Sequence, residues 1–225
     1  MAEHAIRIGN ASIEFRAADR LLHQHFSSAE AALDATSIAE RVVLLDGVWA
    51  TQMFRRPGQV SRVIEKLTER AGVVRAALRS LGPESLEARP TDIIEAARIC
   101  LPITMGAVDA SPAGGPYSFA SKFLHWSTRC HFPIMDSRAR SAINRMQRTC
   151  GIRPRVPSAS GDLHWTQDYP RWVFFYSELI GNLSPRQRER LLTADLETQP
   201  EPVPCANSLL RVLDKVFYTL GGSER

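Results

Sequence analysis

Apolar residues that return every three or four positions, in runs closed by proline or glycine, constrain this chain more than any other feature. Between Ser37 and Phe54 the series Ile38, Val42, Leu45, Val48, Trp49 and Met53 keeps one helical face apolar, and Pro57 closes the run. Residues 59–80 repeat the pattern through Val60, Val63, Ile64, Leu67, Val74 and Leu78, with Gly72 as a break and Gly82-Pro83 as the end. Thr91 is placed to cap a helix through Ile93, Ile94, Ala97 and Ile99 to about Cys100. Further helices are expected from near Ser118, from Asp136, over Arg171 to Leu183, after the cap Ser184-Pro185, and over Asn207 to Leu220. Only Ala5 to Phe15 alternates apolar and polar residues, around Gly9-Asn10, which predicts a short N-terminal β-hairpin or pair of strands. The class is mainly α, arranged as a single domain over 1–225 or as two packed helical lobes. With 225 residues and 44% apolar content the chain can bury a substantial core.

Composition excludes several function classes. No apolar run approaches the roughly 20 residues of a membrane span, and Met1-Ala-Glu-His lacks the basic start of a secretory signal. A cytoplasmic monomer with no membrane partner is the expectation. Cys100, Cys130, Cys150 and Cys205 are irregularly spaced without a C-x-x-C pair, so they read as reduced thiols. His125, Cys130 and His131 lack a fourth ligand at workable spacing, so neither a metal nor another cofactor is expected. His23 and His25 read as surface polarity. Trp165, Trp172, Phe174, Phe175 and Tyr176 read as an aromatic piece of core.

Charge is distributed unevenly. From 110 to 161 the basic residues are Lys122, Arg129, Arg138, Arg140, Arg145, Arg148, Arg153 and Arg155, against the single acid Asp136. Eight cations and one carboxylate give +7 there, where the whole chain carries +4. Positive potential gathered in one stretch fits a polyanion such as DNA. On the helix from Asp136, Arg138, Ser141, Arg145 and Arg148 form a ridge at 3-4-3 spacing, suited to following phosphates. Lys66, Lys122 and Lys215 are the only lysines beside 25 arginines. Arginine stays protonated, so Lys122 is the residue type that a titratable amine in this segment requires.

Two motifs fall inside the basic stretch. Ser118-Phe-Ala-Ser-Lys122-Phe-Leu124 places a turn before a helix with lysine in its first turn, and His131-Phe-Pro-Ile-Met-Asp136 brings a proline-containing extended piece to the next helix start. The pattern resembles the helix-hairpin-helix (HhH-GPD) DNA glycosylase superfamily over residues 91–150. Ser118 and Ala120 stand where that superfamily has hairpin glycines, and the 14-residue interval from Lys122 to Asp136 is shorter than its own. The resemblance implies a two-lobed helical fold that flips a damaged or modified base out of duplex DNA and cleaves its N-glycosidic bond. It makes Asp136 the catalytic aspartate and Lys122 the nucleophile position of members that also cleave the strand. A carboxylate beside C1′ would stabilise the oxocarbenium-like transition state. An amine of lowered pKa would attack C1′.

On this reading Ser118, Ser121, Arg129, Arg138, Arg145 and Arg148 contact DNA. Trp49, Gln52, Tyr117, His125 and Trp126 line the base pocket or wedge the duplex. The excision would serve repair or defence against base-modified phage DNA. Plainer readings stand beside these: Asp136 as an ordinary N-cap, Lys122 and the arginine ridge as solvated surface, Trp49 and Trp126 as core. With Asp136 as a cap alone and the basic surface kept, the alternative is a non-catalytic DNA-binding or regulatory protein of the same fold.

Overall fold

The computed structural model describes residues 1–27, 33–49, 51–55, 57–106, 116–150, 156, 165–199 and 206–222. Among these the chain forms α1 (Ala2–Ala11), α2 (Ile13–Ser27), α3 (Ala35–Trp49), α4 (Gln59–Glu69), α5 (Ala71–Leu78), α6 (Ser85–Ala88) and α7 (Pro90–Thr104). It continues through α8 (Tyr117–Ser127), α9 (Ser137–Cys150), α10 (Trp165–Gly181), α11 (Pro185–Thr198) and α12 (Leu209–Gly222), with one 3-10 turn at Met53–Arg55. The described residues contain no strand, and none of their helices is long and apolar enough to cross a membrane. The expected irregular segment from Asp109 to Tyr117 falls outside the described residues up to 115, as does nearly all of 151–164.

The N-terminal hairpin is not formed. Ala5, Ile6, Gly9 and Asn10 lie together on the buried face of α1, and the residues that looked like a turn are its packing surface. A Cβ on Gly9 would stand 3.3 Å from Thr219 Oγ1, so glycine lets α1 approach α12. Asn10 Nδ2 donates to the Asp195 carbonyl at 3.0 Å, to Asp195 Oδ1 at 3.1 Å and to Thr198 Oγ1 at 2.9 Å. A buried asparagine with partners supplied from α11 mimics, in the sequence, the polar half of a strand alternation. Tertiary contacts override the local pattern.

Elsewhere the helical periodicity corresponds to helices with shifted ends. The break within 59–80 falls at Arg70 (φ −107°), and Gly72 lies inside α5. Pro90 opens α7, which continues past Cys100 through Pro102 to Thr104. Ser184 closes a reciprocal capping box with Gln187 at the start of α11. Helix α12 packs on α9, α1 and α11, α3 packs on α4, and α7 packs on α10, α5 and α4. Helix α8 contacts α2, α3 and α7, so it is enclosed by helices from well-separated parts of the chain. Phe119, Ala120, Phe123 and Leu124 are all fully buried.

The α9–α12 crossing is the tightest. A Cβ on Gly221 would lie 2.1 Å from the Arg138 carbonyl oxygen, a backbone atom that cannot move aside. Gly221→Ala should therefore force the two helices apart and destabilise the protein by about 2–3 kcal/mol, measured as a lowered urea midpoint. An unchanged midpoint would show that this crossing is not rigid.

Candidate active site

The site begins with a reversal at the end of α8. Arg129 (φ 52°) and Cys130 (φ 66°) occupy the left-handed region, and Cys130 N–H donates to His125 O at 2.8 Å. Two consecutive non-glycine residues in that region store backbone strain, which turns the chain back along α8 as an extended segment. Phe132, Ile134 and Met135 are buried, and an interior segment that is neither helix nor strand leaves its peptide groups in need of partners. Side chains supply the partners. His125 Nδ1 donates to Phe132 O at 2.7 Å, Tyr169 Oη–H to Pro133 O at 2.7 Å, and Trp172 Nε1–H to Ile134 O at 2.8 Å. Met135 N–H donates to Ser121 Oγ at 3.0 Å. Burial, with the nearby Arg211 charge, holds the His125 imidazole well below its usual pKa, so the ring is neutral with its proton on Nδ1.

This clamp sets the position of Asp136. Its Oδ1 accepts the Ala139 amide at 2.8 Å, making it the N-cap of α9, and its Oδ2 accepts Lys122 Nζ at 3.0 Å. Lys122 Nζ also donates to Ser118 Oγ at 2.8 Å, one helical turn earlier. The two charged side chains are only 6% and 7% exposed. Burial alone would raise the Asp136 carboxyl, but the Lys122 charge, the Ala139 amide, the Lys122 hydrogen bond and Arg138 outweigh it and hold the pKa below the ordinary value. Lys122 is the sixth residue of α8, in its second turn rather than its first, and Ser118 and Ala120 are helical rather than part of a hairpin. Gly114-Gly115 lie outside the described residues.

A second charged cluster lies beneath, and sequence reasoning missed it. Arg211 pairs with Asp19 and Asp214; Lys215 pairs with Asp19 at 3.1 Å and Asp195 at 2.8 Å. All five side chains are buried. The available signal was the scarcity of lysine. Lys66 makes a surface pair with Glu69 at 2.9 Å, whereas Lys122 and Lys215 are both interior. The Arg211 guanidinium lies 5.1 Å from the Phe15 and Trp126 ring centroids and 5.4 Å from that of Trp49. Burial raises Asp214 to about 6 against the pull of Arg211, with Asp136 adding repulsion.

The remaining sequence candidates divide into groups. Trp49 meets the site, its ring centroid 5.9 Å from Lys122 Nζ. His125 and Trp126 are interior, and Trp126 packs edge-on against His23, which is half-buried and bonded to Asn207 rather than free surface. Tyr117 is buried at the start of α8, and Ser121 serves the clamp. Gln52 is exposed with φ 62°, on a turn that Asp46 fixes by accepting Thr51 Oγ1 at 2.6 Å and Met53 N–H at 2.8 Å. Arg129 is exposed at the reversal. Arg138 lies 4.4 Å above the Tyr218 ring, and Arg145 donates to the Leu220 carbonyl at the end of α12. The two described arginines of the ridge thus engage α12; the Arg148 side chain lies outside the described residues. Trp172, Phe175 and Tyr176 are core, and Phe174 is exposed. The described residues hold no cluster of three or more metal-ligating side chains.

No family model, no curated protein and no solved structure matches this chain. Its chemistry therefore rests on the geometry. A carboxylate kept ionised, an amine within hydrogen-bonding distance and an aromatic wall form a set able to stabilise positive charge and to supply a nucleophile once the amine releases its proton.

Protonation is linked to stability through Asp214. Its folded pKa of about 6 exceeds the ordinary 3.8, so its favourable contribution is complete below about pH 4 and is lost as pH rises through 6. Buried neutral His125 works in the opposite direction, and Asp136 acts only at more acidic pH. Comparison with Asp214→Asn isolates the effect. The stability difference, variant minus wild type, should increase by on the order of 2 kcal/mol between pH 4.5 and 7 in urea titrations. A difference independent of pH would contradict it.

Proposed function

We propose that the protein is a DNA glycosylase that flips a damaged or modified base from duplex DNA and hydrolyses its N-glycosidic bond, leaving an abasic site. The observation that carries this reading is the 3.0 Å contact between Lys122 Nζ and Asp136 Oδ2, made by residues of the two motifs that resemble the helix-hairpin-helix glycosylases. Breaking the bond between C1′ and a base develops positive charge on the sugar. An aspartate held ionised by its surroundings stabilises that charge and orients the attacking group. In the resting geometry Lys122 balances Asp136; attack of its amine on C1′ would form a C–N bond as the N-glycosidic bond breaks, the ammonium proton passing to the departing base, and would lead to strand cleavage. The basic stretch provides the attraction to phosphate. Repair and defence against base-modified phage DNA are both roles for such an activity.

One observation favours a second reading. Both members of the pair are almost entirely buried, and each is hydrogen-bonded to a second group besides its partner, as a structural ion pair would be. On that view the protein binds DNA without cutting it, and Asp136 caps α9.

The two readings differ in what Asp136→Asn does. The amide keeps a cap oxygen for the Ala139 amide but loses the charge. On duplexes with uracil, oxidised or alkylated bases, and on base-modified phage genomes, wild type should generate alkali-labile sites on one substrate class. The variant should lose at least a hundredfold in rate while still binding DNA, and Lys122→Gln should abolish any borohydride-trapped adduct. Salt-sensitive DNA binding with no alkali-labile sites on any substrate would establish the non-catalytic reading.

A further inference from the structure

Beside the Lys122–Asp136 pair, α1, α2, α3, α9 and α12 enclose a cleft of ≈ 340 Å³, within the range of roughly 300–1,000 Å³ typical of small-molecule sites. Phe15, Trp49 and Tyr218 form its aromatic wall. The three rings meet edge to face or tilted, with centroids 5.0 Å apart for Phe15–Trp49, 5.2 Å for Trp49–Tyr218 and 5.7 Å for Phe15–Tyr218. Gly9, Ser12 and Thr219 add small and hydroxyl-bearing positions. Two lining residues tie the cleft to the pair. Trp49 stands 5.9 Å from Lys122 Nζ, and Arg138 follows Asp136 by two residues in the first turn of α9. Arg138 is half-buried with its guanidinium laid over Tyr218, so its charge is held at the cleft by a ring rather than left to wander in solvent.

We propose that this cleft seats the extruded base, that the base is an uncharged planar ring rather than a cationic N-alkylated one, and that Arg138 holds the adjoining phosphate. The inference rests on the glycosylase reading for its choice of a nucleic-acid base and goes beyond it in naming the pocket and the charge class. The argument for charge class comes from the rings. Each wall ring already has a cation against it: Arg138 at 4.4 Å from Tyr218, Lys122 at 5.9 Å from Trp49, and Arg211 at 5.1 Å from Phe15. A π-system polarised toward one cation has less negative charge to offer a second, and a positive base would also meet the repulsion of Arg138, whereas the Lys122 charge is balanced by Asp136. A neutral base stacks on the same wall without that penalty. A phosphate gains from Arg138, whose planar fork suits it.

The test uses the full-length protein, with binding of thymidine 5′-monophosphate, deoxyguanosine 5′-monophosphate and 7-methylguanosine 5′-monophosphate followed by saturation-transfer NMR. The two nucleotides with neutral bases should bind more tightly than the methylated one. Tyr218→Leu should weaken them about tenfold, with Tyr218→Phe restoring binding. Arg138→Gln should weaken the nucleotides while leaving thymidine itself unaffected, and thermal melts would show that each variant is folded. The proposal is overturned if wild type binds no mononucleotide, if Tyr218→Leu binds as wild type does, or if the cationic base is preferred. Its failure is separable from that of the glycosylase reading. Excision with no nucleotide in the cleft removes this pocket alone, whereas nucleotide binding without alkali-labile sites on any substrate removes the enzyme and leaves the cleft as a nucleotide-binding site.

Discussion

A stretch of backbone buried without a sheet around it is the constraint from which the centre of this molecule follows. Residues 132–135 run extended through the interior, where each unpaired peptide group would cost about 1–3 kcal/mol. Side chains from α8 and α10 fill the place of neighbouring strands: His125 and Ser121 on one side, Tyr169 and Trp172 on the other. The identities of all four are fixed by that demand, since each must be a donor or hydroxyl on an otherwise apolar face. Asp136 inherits its position from this clamp. Because the segment returns along α8, the carboxylate arrives beside a residue of the same helix, and α9 starts where the carboxylate caps it.

The charges around α12 obey a different balance. Asp19, Asp195 and Asp214 face Arg211 and Lys215, leaving one more carboxylate than cations in this cluster. An uncompensated buried charge is expensive, and a group so placed neutralises instead. Asp214, raised to about 6, is the carboxyl of the three that gains a proton first as pH falls. Its excess negative charge also bears on Asp136 and Lys122, so the interior cluster and the candidate site share one electrostatic environment. Replacing one member of the cluster by an apolar residue would leave its partners unpaired, and that is costlier than never having built the cluster.

Helical class and most helix positions were legible in the sequence because α3, α4, α5, α7 and α9 each bury one face, and a 3.6-residue period is written into such a face. Two of the site residues were legible for another reason: Asp136 is alone among cations, and Lys122 is one of three lysines. The N-terminus was misread because Asn10 is polar yet buried, a state decided by Asp195 and Thr198 more than 180 residues away, which no local pattern encodes. Arg211, Asp214 and Lys215 look in sequence like the polar face of an amphipathic helix. They are interior because Asp19 and Asp195 come to them from α2 and α11. In the arginine ridge, Arg138 rests on Tyr218 and Arg145 reaches the carboxyl end of α12, partners that the sequence pattern does not show. In each case the missing information was the identity of a distant partner.

The short interval between Lys122 and Asp136 has a geometric explanation. From Lys122 to Ser127 the chain descends as helix, about 1.5 Å per residue, or roughly 8 Å, and Cys130 N–H bonds back to His125 O at the reversal. The return from Cys130 to Asp136 is extended, at about 3.3 Å per residue, so six residues can cover roughly 20 Å. The return therefore has length to spare for the reversal at Arg129 and Cys130 and for the sideways step between the two paths. Pro133, which lacks an amide hydrogen and resists helix, keeps the return between the two motifs out of helix. The strain of the reversal and the four side chains committed to the clamp are the structural cost of bringing one carboxylate to one lysine over a 14-residue loop.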